Sequence, residues 1–64
     1  MKVTDIEDIM DGCAFLEYCG NLYEYAGHDK ENRLLFQNVN DDSHIAVSYG
    51  SLVSNKWNEY SIAH

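Results

Sequence analysis

The sequence predicts a small, mainly β domain: a five-stranded antiparallel meander curled into an SH3-like barrel, with a short N-terminal helix over residues 5–10. Three observations predict it. Strand-forming runs from Cys13 to Cys19 and from Leu22 to Ala26 flank a Gly20-Asn21 pair, the chemistry of a tight β-turn. Two further alternating runs follow, each set off by a polar, turn-forming stretch, and the chain contains no proline to interrupt a ladder. Folded back on one another about locally chosen turns, the four runs put their apolar members on a single face, which a one-residue slip would scatter.

The helix comes first. Thr4-Asp5-Ile6-Glu7 matches a capping box, with Thr4 at the cap and Glu7 reaching back. Ile6, Ile9 and Met10 recur on one side, and Gly12 is placed to end the turn. One or two turns are not stable alone, so this apolar side should plug an open end of the sheet. Acids in the first turn (Asp5, Glu7, Asp8) also suit the helix dipole.

A turn centred between Gly20 and Asn21 opposes Tyr18 with Tyr23, Glu17 with Glu24, Leu16 with Tyr25 and Phe15 with Ala26. Residues 27–32 form a polar loop, and the third strand, 33–39, sets Leu34 beside Tyr25 and Phe36 beside Tyr23. A turn over Asn40-Asp41-Asp42-Ser43 leads to a fourth strand, 44–49, with Ile45 opposite Asn38, Val47 opposite Phe36 and Tyr49 opposite Leu34. Gly50-Ser51 breaks that strand, Leu52 and Val53 lead on, and 57–62 reads as a fifth strand with Tyr60 and Ile62 on the core side.

With 64 residues the chain makes one domain, residues 1–64, and a domain of this size buries only about 60% of the surface its unfolded chain exposes. Cys13 and Cys19, six residues apart on one strand, would stand about 20 Å from each other, too far to bridge. They predict free thiols in a reducing compartment. No apolar run approaches the roughly 20 residues of a membrane span, so a cytoplasmic protein is expected, with no membrane partner.

Charge is the strongest functional signal. Eleven acids oppose four bases, for a net charge of -7. Residues 1–31 hold eight acids and two bases, net -6, while residues 32–64 hold three acids and two bases, net -1. Direct nucleic-acid binding needs clustered Lys and Arg and is not expected. A basic protein surface is the better partner, since complementary potentials steer association.

The opposed Glu17 and Glu24 break a local rule, because like charges facing each other across strands destabilise a sheet. Arg33, diagonal to Glu24 in this register, offers an intramolecular answer; a basic partner inserted between them is another. A metal is a third, although two carboxylates alone make a poor cage. Asp8 and Asp11 extend the same acidic half, and Phe15, Leu22, Leu35 and Trp57 fall off the core face. An aromatic such as Phe15 or Trp57 ringed by carboxylates is the composition of a protein-binding patch. Glu17, Glu24, Asp8, Asp11, Phe15 and Trp57 are therefore the candidate partner-binding residues. Nothing suggests catalysis, a cofactor or a metal site: the registered strands bring no Ser/His/Asp or Cys/His set together, and Cys13, Cys19, His28 and His44 fit no zinc module.

The runs Val3-Thr4-Asp5-Ile6, Gly12-Cys13-Ala14-Phe15-Leu16-Glu17-Tyr18 and Gly20-Asn21-Leu22-Tyr23 resemble small bacteriophage-encoded proteins that open with a short helix, a G-x-x-F-x-Y strand and a G-x-L-Y hairpin before a compact β-barrel. The resemblance spans about the first 25 residues and supplies no catalytic residue. It implies a phage or mobile-element origin. Size and acidity are also similar in class to phage inhibitors of host machinery, including anti-CRISPR proteins and nucleic-acid mimics. The partner expected on that footing is a basic host protein, such as a nuclease, a polymerase or a CRISPR component, met by a monomer or homodimer. The alternative is a structural or assembly module that binds through an edge strand or an exposed aromatic patch.

Overall fold

The computed structural model describes residues 1–64 as α1 (Val3–Met10), β1 (Phe15–Tyr18), β2 (Asn21–His28), β3 (Leu34–Asn38), β4 (His44–Val47), α2 (Tyr49–Ser54) and β5 (Tyr60–Ala63). The five strands form one antiparallel sheet in the order β4-β3-β2-β1-β5. The first four make the expected meander, but β5 adds beside β1 and not beside β4. Residues 48–59 carry the chain from one edge to the other, and α2 lies on that crossing. Both β4 and β5 remain edges, so the sheet is open and the expected closure into an SH3-like barrel does not occur.

Every hairpin departs from its expected register by two residues. In the first, Cys19 (φ 53°) and Gly20 (φ 78°) form the turn, since a two-residue hairpin whose twist suits the strands needs left-handed backbone at both central positions. Leu16 then faces Tyr23, and Glu17 faces Leu22. In the second, Tyr25 faces Phe36 and Tyr23 faces Asn38, until a bulge between Tyr25 and Gly27 brings His28 opposite Leu34. In the third, Phe36 faces Ile45 and Leu34 faces Val47. Because side chains alternate with period two, a shift of two changes partners without changing faces. The apolar face therefore survives: Leu16, Tyr23, Leu34, Phe36 and Val47 are buried, with Tyr18, Tyr25, Ile45, Tyr60 and Ile62 half-buried against them.

The core lies between this face and the two helices, through Ile6, Ile9 and Leu52. The start of α1 differs from expectation. It begins two residues early with Lys2 as its cap, and no side chain caps it, so Thr4 and Glu7 form no capping box. Its end follows the glycine argument. Gly12 (φ 80°) donates its N–H to the Ile9 carbonyl at 3.2 Å and Cys13 donates to the Asp8 carbonyl at 2.9 Å, a Schellman closure. Tyr49 is no core residue: it opens α2 and stays 43% exposed. Ser48 caps α2, its hydroxyl accepting from the Ser51 N–H at 3.1 Å, and this turn buries Leu52 completely. Cys13 and Cys19 are free and exposed, and both lie outside β1, one before it and one after. No helix is long and apolar enough to cross a membrane.

Candidate functional site

Asp8 and Asp11 belong to α1 and its C-cap, and Glu17, Glu24 and Phe15 stand on β1 and β2, alternating with the buried core residues. Glu17 faces Leu22 on β2 and Ser61 on β5; Glu24 faces Gln37 on β3. The predicted frontal pair of glutamates therefore does not form. One more step of the β1–β2 register places Phe15 beside Glu24, so the two carboxylates stand diagonal to one another with Phe15 and Leu22 as their cross-strand neighbours. The conflict that seemed to need an answer is relieved by register.

Arg33 does not answer it either. Its guanidinium pairs with Asp29 (Nε to Oδ2, 2.7 Å) and Glu31 (Nη2 to Oε2, 3.1 Å), inside the β2–β3 loop. Asp29 organises that loop, its Oδ1 accepting from the backbone N–H groups of Glu31 (2.9 Å) and Arg33 (2.8 Å). Partial desolvation acts to raise the Asp29 carboxyl, but the Arg33 N–H, the Arg33 guanidinium and the Glu31 N–H outweigh it and hold the group below the usual carboxylate range. Asp41 is lowered in the same way by the Ser43 hydroxyl and then the Ser43 N–H, which close the β3–β4 turn. Of the eleven acids, only Asp29 and Glu31 have a cation within ion-pair distance. Asp8, Asp11, Glu17 and Glu24 have none.

Two concavities interrupt the surface. The larger, about 180 Å³, opens where α1 ends against the start of β1 and the middle of β2; Ile9, Met10, Ala14, Phe15 and Tyr25 line it, and Glu24 is the one charged residue of the lining. It unites Phe15 and Glu24 from among the candidate residues. The other, about 130 Å³, adjoins Trp57 and has Ser51, Ser54, Lys56 and Glu59 in its lining.

Trp57 lies in the α2–β5 loop and not in a strand, and it is 82% exposed. Asn55 holds that loop: its Nδ2 donates to the Tyr60 carbonyl at 2.8 Å and its Oδ1 accepts from the Tyr60 N–H at 3.3 Å. Since Tyr60 pairs with Tyr18 and Ala63 with Phe15, Trp57 and Phe15 occupy opposite ends of the β1–β5 ladder and do not form one patch. Beside the Trp57 end, Tyr18 and Tyr60 stack with ring centroids 5.0 Å apart. The neighbouring Cys19 thiol is the main influence raising the Tyr18 phenol, and burial followed by the Glu59 charge raises that of Tyr60.

The cleft is a feature that sequence reading missed. Alternation puts Tyr25 on the core face and the helical period puts Met10 in the plug, whereas both also line the cleft; the Schellman turn at Gly12, which brings the chain back past Ala14 to Phe15, is its one visible signal. No group of three or more His, Cys, Asp or Glu side chains is arranged to hold a metal ion. Comparison with known protein families, curated proteins and solved structures finds no match.

Proposed function

We propose that this chain is a small acidic interaction module that inhibits or modulates a basic, nucleic-acid-handling host protein by occupying its positive surface. The observation that carries the reading is the unanswered charge: nine of eleven carboxylates lack an intramolecular cation, and six of them lie in the first 24 residues. Charges left unpaired in this way are available to a partner and sustain a field that steers one. The resemblance of the opening hairpin to phage proteins supports a host target such as a nuclease, polymerase or CRISPR component. Capture from bacterial lysate by the tagged chain at low and high salt, repeated with the Asp8→Lys, Glu17→Lys, Glu24→Lys triple variant, tests it. Basic proteins retained by the wild type and released by salt, but not retained by the variant, are expected; equal capture by both refutes the electrostatic reading.

A second reading, a structural or assembly module, is favoured by one observation, the 82% exposure of Trp57 on a loop that Asn55 holds in place. An exposed indole suits an interface anchor. On that reading Trp57→Ala abolishes capture and salt has little effect.

A further inference from the structure

The cleft at the end of α1 has the chemistry of a receptor for one particular side chain. Most of its lining residues are apolar, and two of them, Phe15 and Tyr25, are aromatic. Its single charged group, Glu24, has no cation of its own. Ile9, Met10 and Gly12 bring the C-terminal end of α1 to it, and this end of a helix carries partial negative charge. The last turn of α1 contains no basic residue to neutralise that end. A long aliphatic stem tipped with a cation satisfies all of these features, and about 180 Å³ leaves room for one such side chain.

We propose that this cleft receives the guanidinium side chain of an arginine on the partner protein, with Glu24 as counter-ion and Phe15 and Tyr25 as stacking walls. Arginine is preferred to lysine because its planar, weakly hydrated cation stacks on aromatic rings and bonds a carboxylate through two N–H groups at once. The cleft beside Trp57 offers no comparable preference, since Lys56 and Glu59 both line it. The inference rests on the reading of the chain as a ligand for basic proteins, and specifies where one cation of that partner goes.

The test is a backbone-amide NMR titration of the full chain with N-acetyl-arginine N-methylamide, set against its citrulline counterpart, which keeps the shape and lacks the charge. Saturable shifts at Gly12, Phe15, Glu24 and Tyr25 are expected with arginine and not with citrulline. Glu24→Gln should weaken arginine binding by about tenfold, the scale of one charge-assisted hydrogen bond. Asp42→Asn removes the same charge from the β3–β4 turn, outside the cleft, and should leave affinity unchanged. Equal weakening by the two variants, equal binding of citrulline, or shifts spread over all the acids of α1 would overturn the proposal; equal binding of the lysine counterpart would overturn the choice of arginine. The wild-type titrations stand without either variant. Arginine binding in the cleft without salt-sensitive capture of basic proteins would refute the proposed function and leave the cleft standing. Capture without arginine binding would do the reverse.

Discussion

Two acidic regions of this molecule use the same chemistry for different ends. In the β2–β3 loop, Asp29 and Glu31 are consumed internally: Arg33 neutralises both, and Asp29 accepts backbone N–H groups that shape the turn. Around the cleft, Glu24 and its diagonal neighbour Glu17 stand on regular strands whose backbone hydrogen bonds are already made by the ladders. Nothing in the fold requires their charge. The difference teaches how to read an acidic chain: a carboxylate that accepts backbone donors in a loop is structural, and one presented unpaired from a finished strand is free for a partner.

That contrast can be broken experimentally, beginning with the frame both regions share. Phe36 on β3 is fully buried in the core, and Phe36→Ala should cost about 3–5 kcal/mol, enough to unfold a domain this small under native conditions; far-UV circular dichroism with urea titration reads it. Next, the Asp8→Lys, Glu17→Lys, Glu24→Lys variant should weaken partner binding by at least about tenfold while its urea midpoint holds or rises, because it relieves self-repulsion. A large loss of stability there would mean that these acids are structural after all. Ser48→Ala removes the cap of α2 and should cost about 1 kcal/mol without touching the cleft. Asp29→Ala should lower the urea midpoint and leave binding intact, the mirror image of the charge reversal. Trp57→Ala should change stability by less than about 0.5 kcal/mol, since the ring is almost wholly in water, so any effect on capture belongs to the interface.

Titration divides the regions in the same way. Asp29 and Asp41 have depressed pKa values in the folded chain, so their stabilisation is present above the ordinary carboxylate pKa and is lost as pH falls through the folded value. Tyr18 and Tyr60 are raised, so theirs is present below the ordinary phenol pKa and is lost as pH rises through the folded value. Acid should therefore loosen the β2–β3 and β3–β4 loops first, and alkali the β1–β5 seam. Amide resonances followed across pH check both ends.

Much of the architecture was legible in the chain, for identifiable reasons. Alternation assigned Leu16, Tyr23, Leu34, Phe36 and Val47 to the core, and all five are buried. The same alternation was blind to register, and each hairpin settled two residues away from the expected pairing. The first turn shows why. Gly20-Asn21 and Cys19-Gly20 both contain the glycine, and the choice between them belongs to the twist of the strands that follow. α2 escaped notice because six residues are too few to show a helical period, although Ser48 is a sound cap. Among the candidate residues, Phe15 and Glu24 come together at the cleft, Glu17 stands diagonal to Glu24, and Trp57 lies in the loop before β5, at the other end of the β1–β5 ladder from Phe15.

The sequence by itself determined which face of each strand is apolar, where α1 ends, and that the acids outnumber the bases. Those are properties of neighbouring residues, set by period-two alternation, by glycine's tolerance of left-handed backbone and by composition. Tertiary structure alone decided that β5 joins β1, that the sheet stays open, that Arg33 serves Asp29 and Glu31 and not Glu24, and that a cleft forms between Phe15 and the end of α1. Each of these depends on distances between segments far apart in the chain, and the competition among turns, edges and ion pairs that sets those distances is resolved only when all of them fold together.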